Sequence, residues 1–248
     1  MARHLIIPDT QVGPDHPTEH LDWAAKAIVH YRPDVIIHLG DHWDMASLSS
    51  WDGKGSKSME GRRYQNDVDA GNSGFDRLFW RIKKEKRYRP RCVYLHGNHE
   101  NRITRAIEAE PKLDGVLSLD HLETPGFEVH PFLERVWING LVYSHYFQNQ
   151  NSPHAIGGSV DNRLNRIGDS FVQGHQQGFL YGNRVYPTGR TRHGLVAGSY
   201  YLHNEGYKGL QGNDHWRGIV VLNEVDDGDY CIMPLSTKYL KKTFGAKR

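Results

Sequence analysis

Short runs of branched and aromatic residues alternate along this chain with stretches whose apolar positions recur every three or four residues. Leu5-Ile6-Ile7 reads as a short buried strand stopping at Pro8-Asp9-Thr10-Gln11, with a turn-rich loop at Gly13-Pro14-Asp15-His16-Pro17. Thr18, then Leu21, Ala24, Ala25 and Ile28, predicts a capped amphipathic helix that ends before Pro33. Val35 to Leu39 is the next strand and runs into Gly40-Asp41-His42-Trp43-Asp44, which completes a strand, helix, strand unit. Residues 45 to 74, rich in Ser, Gly and charge, read as a long functional loop. Phe75, Leu78, Phe79 and Ile82 then give a helical core stripe within about 75 to 87.

The next strand, Cys92 to Leu95, leads to Gly97-Asn98-His99-Glu100. By itself this stretch also fits a plain turn and helix cap, because Asn is a good N-cap residue. Residues 103 to 108 look helical until Pro111, and Leu141 to His145 and Ser170 to His175 are strands that again end in histidine. Further strand-like runs lie at 195–197, 218–222 and 230–233, and the Lys/Arg-rich tail (Lys238, Lys241, Lys242, Lys247, Arg248) reads as a frayed end. The pattern predicts one α/β domain over residues 1 to 248.

Composition narrows the chemistry. Nothing approaches the roughly 18 consecutive apolar residues of a membrane span, and the N-terminus lacks a signal-peptide core, so a cytoplasmic protein with no membrane partner is expected. Only two cysteines occur, Cys92 and Cys231, both in apolar runs that suggest buried thiols rather than a disulfide or thiolate metal site. Any metal would therefore be held by His, Asp, Asn and Gln. Residues 54 to 105 carry 14 Lys/Arg against 6 Asp/Glu, whereas the whole chain has a formal charge of only +2. Such a basic segment could attract a phosphate ester or polyanion, although a solvated helix face explains Lys83, Lys84, Lys86 and Arg87 equally well. Oligomeric state is not readable from the sequence.

Five strand ends carry metal-ligand types: Asp9 and Gln11; Asp41 and Asp44; Asn98, His99 and Glu100; His145; His175 and Gln177. A lone His at a strand end is usually structural, but buried carboxylates and imidazoles from five strand ends need partners, and a cation supplies one. In this order, Asp9-Thr10-Gln11, Gly40-Asp41-His42-Trp43-Asp44, Gly97-Asn98-His99-Glu100, His145 and Gly174-His175-Gln176-Gln177 resemble the motifs of the calcineurin-like metallophosphoesterases: D-x-H, G-D-x-x-D, G-N-H-D/E, H and G-H-x-H. The loop Ser47 to Asp52, with Glu60 to Tyr64, is similar to that of phage-encoded members.

The resemblance implies an α/β fold in which two mixed β-sheets pack as a sandwich flanked by helices, with two divalent metal ions at their edge. Carried over, Asp9 and Gln11 serve the first metal with Gln177, Asp41 bridges both, and Asn98, His145 and His175 hold the second. His99 faces the leaving group and is oriented by Asp44, while Glu100 has only a supporting role. A metal-bridging hydroxide would attack the phosphate. Gln11 and Gln177 depart from the family pattern, which has histidine at both positions. Oxygen donors there favour Mn²⁺ as the expected ion, with Mg²⁺, Zn²⁺ and Ni²⁺ as alternatives. Otherwise one Gln stands back from the metal and His42 or His38 replaces it. Arg62, Arg63 and Tyr64 are substrate-binding candidates, since arginine suits phosphate and tyrosine can stack on a base. Tyr200 to His203 and Asn213 to Trp216 are weaker ones.

The reading is a phosphodiesterase acting on nucleic acid or a nucleotide. The alternatives are a phosphomonoesterase or phosphoprotein phosphatase, and a non-catalytic binding protein with a degenerate metal site.

Overall fold

The apolar runs pair into two mixed sheets. The computed structural model describes residues 1–50, 57–209 and 211–245, so Trp51, Asp52 and Lys54 of the expected loop, and Lys247 and Arg248 of the tail, lie outside the described residues. Strand β1 (Ala2–Ile7) is followed by helix α1 (Glu19–Tyr31), β2 (Val35–His38), α2 (Tyr64–Lys84), β3 (Arg91–Leu95), α3 (Asn101–Ala109) and β4 (Glu128–His130). The chain continues through β5 (Val136–Ile138), β6 (Leu141–Ser144), α4 (Val160–Ile167), β7 (Phe171–Gln173), β8 (Phe179–Val185) and β9 (Thr191–Ala197). It closes with β10 (Gly218–Asp226), β11 (Asp229–Ser236) and α5 (Thr237–Phe244).

The first sheet has the order β11-β10-β1-β2-β3-β4, with β1 to β4 parallel and β10 and β11 antiparallel. The second has the order β5-β6-β7-β9-β8, with a parallel centre of β6, β7 and β9. Parallel strands covered on both faces read as unbroken apolar runs, which is why Leu5 to Ile7 and Val35 to Ile37 carry no alternation. Ile6, Ile37, Val93 and Leu95 face Tyr143, Val172, Leu195 and Ala197 across the inter-sheet core. On the other side of the first sheet, Leu5, Ile7, Ile36 and Tyr94 meet Ala24, Ile28, Phe75 and Leu240 of the helices. Two mixed sheets flanked by helices is the architecture the sequence predicts.

Four local expectations need correction. Helix α2 starts at Tyr64, not near 75, so the second half of the expected loop is helical. Gly71, Asn72, Ser73 and Gly74 are poor helix formers, which is why the stretch reads as a loop, yet tertiary packing requires them. A Cβ on Gly71 would lie 1.8 Å from Trp43 Cδ1, and Asn72 Oδ1 accepts from the Trp43 indole at 3.0 Å. The glycine lets α2 lie against the loop that carries Asp41 and Asp44. Gly71→Ala is therefore expected to destabilise by about 1–3 kcal/mol, because overpacking outweighs the roughly 1 kcal/mol gain in helix propensity. A urea midpoint equal to or above the parent's would refute this.

The tail is not frayed over 237–244. Helix α5 is capped by Ser236, which accepts from Tyr239 N, and it buries Leu240 against α1, where Lys26 donates to Phe244 O at 2.7 Å. One buried leucine among lysines is too weak a stripe to read. The thiols are free but not buried: Cys92 is half-buried and Cys231 exposed, because β11 is an edge strand. Thr18 precedes α1, but its hydroxyl accepts from Arg77 instead of capping the helix.

Candidate metal centre

The parallel strands β1, β2, β3, β6 and β7 end at one edge of the sandwich, and the loops that leave them interlock. Thr10 N and Gln11 N donate to Asp41 O, and Val12 N donates to His42 O, which stitches the first two motif loops together. Gly40 and Gly97 let the second and third loops touch: a Cβ on Gly40 would meet Gly97 N at 2.5 Å, and one on Gly97 would meet Asp41 Oδ1 at 2.1 Å. This contact is the physical reason for glycine in both motifs. Gln11, Asp41 and His175 all have positive φ (40°, 51° and 63°), a backbone conformation uncommon outside glycine that clusters at functional sites.

Glu100 holds this arrangement together, which is more than the supporting role expected of it. Its carboxylate is fully buried; Oε2 accepts from Gly97 N (2.7 Å) and Asp41 N (3.0 Å), and Oε1 accepts from His42 N (2.8 Å), Trp43 N (3.1 Å) and the Tyr94 hydroxyl (2.9 Å). A carboxylate right after the Asn-His pair and three residues after Gly97 is the signal for this role, but three of its five donors, on Asp41, His42 and Trp43, lie on another loop and are invisible to spacing.

Asp41, His145 and His175 offer ligand atoms within 4.8 Å of one another, a geometry that could hold a metal ion. Asn98 Oδ1 stands among them, 2.9 Å from His145 Nε2 and 2.6 Å from His175 Nδ1, and His145 Nε2 is 3.4 Å from Asp41 Oδ2. His145 Nδ1 donates to Leu39 O at 2.7 Å, which orients Nε2 toward the cluster. Burial lowers the His145 pKa, but the Asp41 carboxylate outweighs this and raises it to about 9. Asp41 is held far below the usual carboxylate range, since His145 and His99 override the opposing effect of burial. Burial and the charge of His145 lower His175 to about 4, leaving it a neutral potential ligand.

Asp9 joins the cluster through His175 N, which donates to its Oδ1 at 3.1 Å. Burial, reinforced by the nearby Asp41, raises Asp9 to about 7. Asp9 Oδ2, Gln11 Oε1 and Gln177 Oε1 are all buried without a hydrogen-bond partner. Unpaired buried oxygens are costly, and a divalent cation satisfies such a donor set, so these residues fit a metal. His38 and His42 are not spare ligands: His42 is bonded to Thr10 Oγ1 and Gly71 O, and His38 to Thr10 Oγ1 and Gly40 N.

His99 stands beside this cluster. Its amide donates to Asp41 Oδ1 at 2.9 Å, and Nε2 is 3.8 Å from Asp41 Oδ2. Nδ1 lies 3.1 Å from Asp44 Oδ1, close enough for an ion pair though poorly aligned for a hydrogen bond. Arg102, which the sequence motifs do not include, places a guanidinium nitrogen 3.0 Å from His99 Nε2 and also donates to Asp44 O and Met45 O. Burial lowers the His99 pKa, Asp41 raises it, Arg102 lowers it and Asp44 raises it, for a net upward shift. The signal for Arg102 was its spacing, three residues after His99 at the start of a helix.

The loop candidates make contacts of their own. Arg62 donates to Ala46 O, Arg63 to Arg62 O, and the Tyr64 hydroxyl donates to Ser118 O while lying 2.7 Å from His121 Nδ1. Ala46, the acceptor for Arg62, lies two residues beyond Asp44, whereas Ser118 and His121 belong to a loop between α3 and β4. Tyr200 is core, donating to His20 O, whereas His215 reaches Ser199 Oγ, whose backbone bridges to Asp9.

Two mixed sheets with helices outside and an Asp/Asn/His cluster at their shared edge define this chain as an α/β sandwich with a candidate metal centre. No protein-family model matches the chain, and no curated protein matches it. Among solved structures it is similar to YfcE, a phosphoesterase from E. coli, with a TM-score of 0.43 and 13% identity over 93% of this chain and 98% of that one. It is also similar to TT1561 of Thermus thermophilus, with a TM-score of 0.36 and 9% identity over 94% and 98% of the two chains. These likenesses are too distant to say what this chain does. Among the described residues, no helix is long and apolar enough to cross a membrane.

Proposed function

We propose that this chain is a metal-dependent phosphoesterase that hydrolyses a phosphodiester, with nucleic acid or a nucleotide as the substrate class. The observation that carries this reading is a cluster of metal-ligand side chains with a largely enclosed, Asp-paired histidine directly beside it. Asn98, His145 and His175 would hold one divalent ion, Asp9, Gln11 and Gln177 another, and Asp41 would lie between them. Bound there, the ions would supply an acidified water and offset negative charge on the phosphate. His99 Nε2 lies 3.8 Å from Asp41 Oδ2 and accepts from Arg102 here; once protonated, as its raised pKa favours, and released from Arg102 it would donate a proton or hydrogen bond to the departing oxygen. Asp44 and Arg102 orient its ring from opposite sides.

The oxygen-only donor set of Asp9, Gln11 and Gln177 favours Mn²⁺ or Mg²⁺ over Zn²⁺. After dialysis against Mn²⁺, the protein is expected to bind manganese and to hydrolyse bis-p-nitrophenyl phosphate faster than p-nitrophenyl phosphate. Much faster monoester turnover would assign a phosphomonoesterase instead. Tightly held Zn or Fe at the Asp9 position would overturn the metal assignment. The two glutamines also favour a second reading, a binding protein with a weakened site, which an absence of turnover with Mn²⁺ bound would select.

A further inference from the structure

We infer that a cavity on the outer face of the second sheet receives the nucleoside of a phosphodiester whose phosphate sits at the Asp41 cluster, an inference that rests on the phosphodiesterase reading. The cavity has a volume of about 410 Å³, and its wall includes Arg135, Trp137, Tyr146, Gln148, Asn149 and Arg166. That is the size of a site for one small organic group.

Tyr146 connects the cavity to the metal-ligand cluster. It directly follows His145, its ring centroid lies 4.7 Å from that of His175 and 5.9 Å from that of His145, and the same residue lines the cavity. A ligand filling the cavity and touching Tyr146 is therefore one side chain away from the candidate ligands. Phe132 packs against the Tyr146 ring at 5.6 Å and fixes its orientation at the rim.

Trp137 supplies the chemistry for a base. Strand β5 alternates Val136 inward, Trp137 outward and Ile138 inward, and Trp137 remains 55% exposed. A single exposed aromatic is ordinary. This one borders a cavity, stands on an edge strand with no further strand to cover it, and has the Arg135 guanidinium 5.9 Å from its ring centroid. Planar rings offer stacking faces to nucleobases, and the Gln148 amide offers a donor and an acceptor to a base edge, while the Asn149 amide is committed to His154 O, Ala155 O and Arg166. Arg166, which donates to Asn149 Oδ1, holds that amide in place and adds a second positive charge to the rim. Apolar wall residues such as Phe147 and Ile156 beside Trp137 suit the flat face of a base, and the guanidinium groups with Asp169 among them suit the polar edge and sugar of a nucleoside.

The test compares two Mn²⁺-supported substrates with the same leaving group, thymidine 5′-(p-nitrophenyl phosphate) and methyl p-nitrophenyl phosphate, in the parent protein and in Trp137→Ala and Arg135→Ala. Base stacking worth about 1–3 kcal/mol corresponds to roughly 5- to 150-fold. Trp137→Ala should therefore lower kcat/KM for the thymidine ester at least 5-fold more than for the methyl ester, chiefly through KM. Arg135→Ala should act in the same direction. Equal losses on both substrates, or none on either, would overturn the cavity assignment while leaving the phosphoesterase reading standing. If the parent hydrolyses neither ester, that reading falls, and the cavity is judged by titrating thymidine 5′-monophosphate against tryptophan fluorescence. Quenching that disappears in Trp137→Phe supports the cavity, and an absence of quenching overturns it. Preferential Trp137-dependent turnover of a phosphoserine peptide would also overturn the nucleoside assignment.

Discussion

Replacing Glu100 by alanine is expected to destabilise the protein by roughly 5 kcal/mol or more, since each buried donor left unpaired costs about 1–3 kcal/mol. Five donors lose their acceptor at once: Gly97 N, Asp41 N, His42 N, Trp43 N and the Tyr94 hydroxyl. A loss of that size rivals the whole stability of an ordinary domain, about 5–15 kcal/mol. Glu100→Gln keeps the shape and one acceptor oxygen but turns an NH₂ group toward two or three of the same donors, so an intermediate loss is expected. Urea denaturation measures both, and a shift of less than about 1 kcal/mol in Glu100→Ala would refute the role, given the cost of even a single orphaned donor. Metal binding should weaken in parallel, because Glu100 positions the loop of Asp41 and the turn that bears Asn98.

For His99→Ala the expected result is a fall in kcat of about 10²- to 10⁴-fold with the fold retained, the range typical of a lost general acid. His99 is only partly enclosed, its side chain 12% exposed, so its removal leaves a small space near the surface and not a core void. The size of the loss should depend on the leaving group. p-Nitrophenolate is a weak base that needs little help, so a phenyl ester should suffer much more than a p-nitrophenyl ester. Equal losses on the two would remove His99 from the leaving-group position. Asp44→Asn should reproduce part of the effect, because Asp44 Oδ1 lies 3.1 Å from Nδ1 and orients the ring. Unchanged hydrolysis in His99→Ala would overturn the mechanism.

Much of the site could be read because its residues sit at strand ends, where an apolar run, a glycine and a ligand-type side chain fall within a few consecutive positions. Gly40-Asp41 and Gly97-Asn98-His99 belong to this kind, and their glycines prove to be where two loops meet without room for a side chain. Arg62, Arg63 and Tyr64 are suggested by side-chain chemistry alone, with no strand end to anchor them; in the structure they stand at and just before the start of α2. Poor helix formers hid the first half of α2, since Gly71 is a poor helix residue that fits because Trp43 occupies the space beside it. Arg102 escaped notice because an arginine on a helix is ordinary until its guanidinium is seen against His99.

The sequence by itself determined most of the strands that carry the site and the identity of the ligand-type residues, because these depend on local apolar runs and short motifs; the two-sheet class came from the resemblance of those motifs, and β4, β5 and β8 were not legible. Only the tertiary structure decided which of the ligand-type residues meet. It gave Glu100 its five donors, committed His38 and His42 to hydrogen bonds, left the oxygens of Asp9, Gln11 and Gln177 without partners, and set Tyr146 between the ligand cluster and the cavity beside Trp137. The physical reason is that hydrogen bonding, burial and coordination act across space between residues far apart in the chain, whereas periodicity reports only on near neighbours.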